Sequence, residues 1–148
     1  MGKSHAPALC ASQVELSIMQ LTALQQELMD AALTCGGDAR KDYNQLQTSY
    51  GPVLRGTDAR LLAMFRRVKG PAGMAGYNLF KTNLASTAEL RRVQDVAVFC
   101  SGASAKATTA LGLLETNRKP VARQAALLAY ANTAVSVDPA WPIKACMP

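Results

Sequence analysis

Residues 7–37 read PALCASQVELSIMQLTALQQELMDAALTCGG, and this stretch decides the fold. Its apolar residues recur at steps of three, four and seven, which is the spacing of one face of an α-helix. Proline is tolerated in a first helical turn, and glycine ends helices readily. The stretch therefore predicts one long helix from about Pro7 to Cys35, ended by Gly36 and Gly37. The predicted apolar stripe consists of Val14, Ile18, Leu21, Leu28 and Ala32.

Glycine and proline divide the rest of the chain into further helical pieces. Strands favour aromatic and β-branched residues, and only 5% of this chain is aromatic. Ser86-Thr87-Ala88-Glu89 matches a helix capping box, which allows a break in the fourth helix near Ser86. We therefore expect one all-α domain over residues 7–148, a single-domain bundle of five to six helices fastened by disulfides. The later predicted helices cover about 38–50, 52–69, 74–92, 95–115 and 119–135.

Four cysteines are scattered singly along the chain, and none is at metal-finger spacing from another. An even number at wide spacing predicts two disulfides and an oxidising compartment. On a continuous helix, Cys10 and Cys35 lie about seven turns and about 37 Å apart. A disulfide needs Cα atoms within about 7 Å, so these two are not expected to join each other. Two pairings stay open: Cys10–Cys100 with Cys35–Cys146, or Cys10–Cys146 with Cys35–Cys100.

Residues 1–6 are expected to be a disordered start, either the remnant of a cleaved signal peptide or a tag. Ser4-His5-Ala6 resembles the small-residue end of a cleaved signal, and Met1-Gly2-Lys3 an added start. No run of 18 or more apolar residues is present, so we expect no membrane span. Together with the disulfides, these features predict a periplasmic or secreted protein.

The residue types that carry catalysis or bind metals are scarce. His5 is the only histidine, which excludes a Ser-His-Asp arrangement or a multi-histidine metal site in the folded body. Phosphate-binding and dinucleotide-binding loops are missing from the sequence. Glu27 with Asp30, and Asp38 with Asp42, have simpler roles on helix surfaces than acid–base chemistry. We expect no enzyme, no catalytic residue, no metal and no cofactor.

One polar set inside an apolar helical pattern is a candidate ligand site. Lys81-Thr82-Asn83 follows Phe80 directly and is able to line a pocket together with tyrosines from the second helix. The structural alternative is that Thr82 and Asn83 bond across helices and fix packing, or simply face water, and that Trp141 closes the core. The candidate ligand-binding residues are Tyr43, Asn44, Tyr50, Tyr77, Phe80, Lys81, Thr82, Asn83 and Trp141.

The net charge of +6 is unevenly spread, because residues 1–50 carry −2 and residues 51–148 carry +8. A basic excess favours acidic partners, anionic lipid headgroups or nucleic acid, although it also serves simply as a solvated surface. Neither a helix-turn-helix signature nor an aromatic stacking platform accompanies the basic residues, and an exported setting disfavours nucleic acid. The candidate basic surface consists of Arg60, Arg66, Arg67, Lys69, Arg91, Arg92, Arg118, Lys119 and Arg123.

The layout of several short motifs resembles a group of small exported bacterial helical proteins of unassigned function. The resemblance covers about two-thirds of the chain and implies a periplasmic, disulfide-bonded helical fold with no catalytic residue to transfer. The motifs that carry it are Cys10 and Cys35 on the first helix, Tyr43-Asn44, Phe80-Lys81-Thr82-Asn83-Leu84-Ala85 and Phe99-Cys100.

These observations predict a non-enzymatic periplasmic binding or protein-interaction module with a basic surface. Its expected partner is another envelope protein or an anionic surface, contacted through the basic second and third segments. One alternative is a small-molecule carrier with an apolar pocket between helices. Another is a nucleic-acid or anionic-surface binder. The carrier pocket is expected to be lined by Tyr43, Tyr50, Tyr77, Phe80 and Trp141.

Overall fold

The computed structural model describes residues 8–146 and confirms an all-α, single-domain bundle with two disulfides. A 3₁₀ turn over Gly70–Ala72 separates the third and fourth helices, and residues 136–146 form an irregular tail. The expected disordered start, residues 1–6, lies outside the described residues. The helices are α1 (Gln13–Thr34), α2 (Ala39–Ser49), α3 (Gly51–Lys69), α4 (Gly73–Gln94), α5 (Val96–Thr116) and α6 (Pro120–Ala134).

The first helix begins later than its sequence pattern predicts. Ser12 is the N-cap: its hydroxyl accepts the Glu15 amide at 3.2 Å, and the Glu15 carboxylate accepts the Ser12 amide at 2.9 Å. This reciprocal pair satisfies two amides that a helix start otherwise leaves without partners. The expected start near Pro7 is therefore wrong, and Cys10 precedes the helix in a non-helical segment.

α1 is the central helix, because it contacts each of the other five α-helices. Four residues of the predicted stripe are buried, whereas Val14, in the first turn, is 44% exposed. Burial extends around the helix and takes in polar side chains that a one-sided pattern does not predict. The buried polar residues of α1 are Ser17, Gln20, Thr22 and Glu27.

The core has two parts that follow the length of α1. The C-terminal half of α1 packs with α2, the start of α3, α5 and α6. The N-terminal half packs with α3, α4 and the tail, where Phe65, Phe80 and Trp141 form a chain of aromatic contacts. α2 therefore belongs to the first part only, whereas α4 contributes Ala88 to the first part and Phe80 and Leu84 to the second.

The disulfides realise one of the two pairings left open by the sequence. Cys10 pairs with Cys146, with Cα atoms 4.9 Å apart, and Cys35 pairs with Cys100, with Cα atoms 5.7 Å apart. Ala11 lies beside the tail as well, donating its amide to Lys144 O at 2.8 Å and accepting the Cys146 amide at 2.9 Å. The two ends of the described chain are thus joined by covalent and hydrogen bonds.

The sequences of α4 and α5 contain patterns that suggest a helix break and a membrane span, respectively. α4 continues through the capping-box motif at Ser86 without a break, since Leu84 and Ala88 are both buried on its inner face. α5 is long and apolar enough to cross a membrane by length and composition alone, a criterion that helices of packed bundles also meet. In the structure, Cys100 ties α5 to α1, and one face of α5 is buried in the bundle. The buried residues of α5 are Phe99, Ala103, Ala107 and Ala110.

Candidate binding site

A buried carboxylate on α1 joins α4 and α5 at the centre of the candidate site. The Glu27 side chain is only 4% exposed. Lys106 Nζ lies 2.8 Å and 3.0 Å from its two oxygens, and Arg91 Nη1 lies 2.9 Å from one of them. Such pairing is what permits a carboxylate to be buried. Two cations face one anion, so these three side chains together carry an excess positive charge.

Beside this cluster is a cleft of about 300 Å³ between α1, α4, α5 and the segment that follows α6, which we call the Trp141 cleft. Its apolar wall includes Leu84, Ala88 and the ring of Trp141, and its charged end is formed by the Glu27 cluster. Small-ligand sites combine apolar walls with a few convergent polar groups in this way. The lining residues are Ala23, Glu27, Leu84, Thr87, Ala88, Arg91, Lys106, Ala134, Val135, Ser136, Asp138 and Trp141.

Hydrogen bonds from α1 position the segment after α6 that lines the Trp141 cleft. The buried amide of Gln20 donates through Nε2 to Val135 O at 2.6 Å and to Asn132 O at 3.3 Å. These carbonyls lie at the end of α6, where helices leave such acceptors without intrahelical partners. Gln20 therefore fixes Val135 and Ser136 at the side of the Trp141 cleft.

A second groove, of about 320 Å³, lies on the other side of Glu27 and Arg91. The guanidinium carbon of Arg91 is 5.8 Å from the centroid of the Phe99 ring, at cation–π distance. Arg91 thus stands between the two cavities and lines both of them. The groove is lined by Glu27, Arg91, Gln94, Asp95, Val98, Phe99 and Gly102.

The aromatic residues predicted to line one pocket are divided between the two parts of the core. Tyr50 is fully buried and donates its hydroxyl to Ala110 O at 2.7 Å, and the cavity that it lines with Tyr43 is only about 20 Å³. Burial raises the pKa of both tyrosines. Tyr77, Phe80 and Trp141 belong to the other part, so the structure does not bring the five together.

The polar residues predicted to bind a ligand do not lie together either. Asn44, Thr82 and Asn83 are exposed, whereas Lys81 joins a half-buried cluster with Asp58 and Tyr77. The Tyr77 hydroxyl donates to Asp58 at 2.6 Å, and Lys81 Nζ lies 3.1 Å from both partners. Burial raises the pKa of Tyr77, and its bond to Asp58 raises it further. Burial alone would lower the pKa of Lys81, but the bonds to Tyr77 and Asp58 raise it. The cluster joins α3 to α4.

Some residues of the predicted basic surface make contacts within the bundle, and the others are exposed. Arg67, Arg91 and Arg92 form ion pairs with carboxylates of α1, namely those of Glu15, Glu27 and Asp30. Arg123 donates to the backbone carbonyls of Asn117 and Ser49. These four cations hold the bundle together. The remaining candidates are exposed, on α3 and around the start of α6: Arg60, Arg66, Lys69, Arg118 and Lys119.

The sequence interpretation missed an exposed aliphatic surface where α4 meets α5. We call it the aliphatic patch, and it consists of Leu90, Val93, Val96 and Val98, which are 59%, 65%, 55% and 67% exposed. The sequence does indicate this surface. The four residues lie in the run LRRVQDVAV, at positions that do not share the helical spacing of the buried Ala88 and Phe99. Exposed large aliphatic side chains that lie this close along the chain are a candidate interaction site.

In residues 8–146, no group of three or more His, Cys, Asp or Glu side chains is placed to hold a metal ion. Glu27, Arg91 and Lys106 offer charge and hydrogen bonds, and the aliphatic patch offers apolar contact. Comparison with known proteins gives no relative, since no family model, curated protein or solved structure matches the chain. The site is therefore interpreted from its own geometry.

Proposed function

We propose that the protein is a non-enzymatic binding module of the periplasm or the extracellular space, and that it contacts another envelope protein through the aliphatic patch. The single observation that carries this proposal is the exposure of four large aliphatic residues within nine positions of the α4–α5 junction. Exposing them to water is unfavourable, and a partner that covers them gains about 25 cal/mol for each Å² of apolar surface removed from water.

The surroundings of the patch suit a protein partner. Arg91, Arg92, Gln94 and Asp95 lie between its aliphatic residues along the chain, so the apolar surface has a polar border. Interfaces between proteins commonly have an apolar centre and a polar rim. The cations exposed elsewhere on the domain add a positive potential that favours an acidic partner.

The compartment and the absence of an activity are supported by separate observations. Two disulfides are typical of oxidising, extracytoplasmic compartments. The groups with shifted pKa values, such as Glu15, Tyr77 and Lys81, are bonded to partners on neighbouring elements of the bundle. A binding role makes use of these features without requiring a reacting group.

Photo-crosslinking in the native host tests the proposal. Val93 and Val98 are each replaced by the photoreactive residue benzoylphenylalanine, and the exported protein is irradiated in its own compartment. We expect both positions to give a discrete adduct of the same mass, since both face the same partner. Val96→Asp, introduced beside either reporter, is expected to abolish that adduct by placing a charge in the apolar contact.

The matched control is Val121 on α6, an aliphatic residue of the same type that is 84% exposed outside the patch. The same photoreactive residue at this position is expected to give no adduct of that mass. Equal adducts from Val121 and Val93 indicate non-specific collision and contradict the proposal. So does a lack of any adduct at both patch positions.

A further inference from the structure

The charged end of the Trp141 cleft has hydrogen-bond donors that no group within residues 8–146 accepts. Within residues 8–146, the only acceptor bonded to Arg91 is Glu27, reached through Nη1 alone. A guanidinium offers five N–H donors in a rigid plane that matches the two oxygens of a carboxylate. The Arg91 side chain is 52% exposed, so its remaining donors are accessible from the cleft that it lines.

The charge balance of the cluster favours an anion. Glu27 neutralises one of the two cations that face it, and the second positive charge lies at a partly buried position, since Lys106 is 22% exposed. Coulombic attraction is stronger at such a position than in open water. A bound carboxylate would give the cluster two cations and two anions. Asp138 also lines the cleft, but it is exposed, so water and salt screen its charge more strongly than those of the cluster.

The rest of the cleft determines the size and polarity of the part of the ligand that is not bound to Arg91 and Lys106. Leu84, Ala88 and Trp141 form an apolar wall, and the volume of about 300 Å³ is at the small end of ligand sites. At about 30 Å³ for each water-sized group, this is room for roughly ten non-hydrogen atoms. Asp138 also lines the cleft, and its negative charge disfavours a ligand with a second anionic group.

We propose that the Trp141 cleft binds a small monocarboxylate with an apolar body. The carboxylate lies against Arg91 and Lys106, and the body lies against Leu84, Ala88 and Trp141. This inference does not rest on the aliphatic patch, because none of the four aliphatic residues of that patch lines the cleft. If the protein is a carrier, its ligand therefore binds in the Trp141 cleft. Of the five aromatic residues that the sequence analysis expected to line the pocket, only Trp141 lines this cleft.

The protein carries its own reporter for the experiment. Trp141 is the only tryptophan in the chain and lines the cleft, so its fluorescence responds to occupancy there. The purified, oxidised protein is titrated with three probes: hexanoate, hexan-1-ol and acetate. Hexanoate has both the charge and the apolar body, and each of the others lacks one of them. We expect saturable binding of hexanoate, and binding at least tenfold weaker for hexan-1-ol and for acetate.

Two neighbouring arginines give a matched pair of variants. Arg91→Gln removes the cation that faces the cleft and leaves Glu27 paired with Lys106. Arg92→Gln removes the same charge from the next residue, whose partner is Asp30 and which does not line the cleft. We expect R91Q to weaken hexanoate binding about tenfold or more and R92Q to leave it within about twofold, because only R91Q removes a charge-assisted contact to the ligand.

Several outcomes would overturn the proposal. The first is that hexanoate causes no saturable change of Trp141 fluorescence. The second is that hexan-1-ol binds as tightly as hexanoate, because that result would show apolar partitioning without recognition of the carboxylate. Equal losses in R91Q and R92Q show a general charge effect and also contradict the site. The comparison of the three probes needs no variant, so it decides the matter even where R91Q loses its helical circular dichroism signal.

Discussion

The carboxylate of Glu15, in the first turn of α1, faces the guanidinium of Arg67, in the last turn of α3, in a two-pronged contact. Nη1 lies 2.5 Å from Oε2 and Nη2 lies 2.7 Å from Oε1. The same guanidinium donates to the carbonyl oxygens of Ala8 and Cys10, each at 2.9 Å. Arg67 therefore holds the segment before α1 in the position where Cys10 meets Cys146.

Glu15→Gln tests this contact. Glutamine retains the ability to cap the first turn through Ser12, so the substitution removes the charge and little else. We expect the free energy of unfolding, measured by urea denaturation near neutral pH, to fall by about 1.5–3 kcal/mol, as for loss of hydrogen bonds to a charged group. Glu15→Ala loses the cap as well and is expected to fall further. Equal stability of E15Q and wild type would show that the contact is not stabilising.

The same pair predicts a pH dependence. The hydrogen bonds from Arg67 hold the pKa of Glu15 below its ordinary value of 4.5, against the effect of burial. A carboxyl whose pKa is lowered by folding stabilises the native state above the unfolded pKa and loses that contribution as the pH falls through the folded pKa. The stability difference between wild type and E15Q is therefore expected to be constant above about pH 5 and to shrink at lower pH. A difference that stays constant in acid contradicts the assignment.

Glu27→Gln is expected to destabilise the bundle strongly. It leaves Arg91 and Lys106 facing a neutral group at a buried position, and removing one partner of a buried ion pair costs about 3–5 kcal/mol. We expect the lower end, about 3 kcal/mol, because Arg91 is half exposed. Glu89→Gln is the control, since Glu89 is an exposed glutamate of α4. Similar urea midpoints for E27Q and E89Q would mean that the cluster contributes nothing to the fold.

Gly73 permits the close approach of α4 to α3. A Cβ at this position would lie 2.6 Å from Arg66 Cα and 2.9 Å from Phe65 O, both backbone atoms. Gly73→Ala is therefore expected to cost about 1–3 kcal/mol through overpacking. Gly112 on α5 has no atom within 4 Å of its Cβ position, so Gly112→Ala is expected to stabilise the helix by about 0.5–1 kcal/mol. Thermal denaturation of the two variants should give shifts of opposite sign, and shifts of the same sign contradict this packing.

The disulfide that ties α1 to α5 is expected to contribute about 4 kcal/mol, because its ends are 65 residues apart and it restricts the unfolded chain. The measurement is the urea midpoint of Cys35→Ser/Cys100→Ser against wild type under non-reducing conditions. Peptide mapping of the same wild-type sample should give Cys10–Cys146 and Cys35–Cys100 cross-links only. Cross-links in the other pairing, or free thiols in the exported protein, would refute the connectivity.

Most helices were predictable because their ends are marked by local chemistry. Gly70 adopts a left-handed φ of 58°, and Pro52 and Pro120 occupy first turns of helices, as the sequence indicates. Capping boxes were less reliable. The Ser12–Glu15 box starts α1, whereas Ser86–Glu89 lies within a continuous helix, because ending α4 there would take Leu84 and Ala88 out of register with the core.

The candidate site was harder to predict because it depends on contacts between distant residues. Glu27 and Lys106 are 79 positions apart, and neither looks unusual within its own helix. Five aromatic residues were expected to line one pocket, but Tyr50 and Phe80 pack against different halves of α1. The pairing argument survived a wrong helix start, because Cys10 and Cys35 still lie at opposite ends of α1.

The union of Cys10 with Cys146 makes the described chain a covalent ring of 136 residue steps. A pulling force applied to its two ends passes through a pair of sulfur atoms and leaves the helices unloaded. A protease that nicks one loop of the ring releases no fragment, because both new ends stay attached. Such resistance to tension and to clipping would be of use in the oxidising compartments where disulfides of this kind are common.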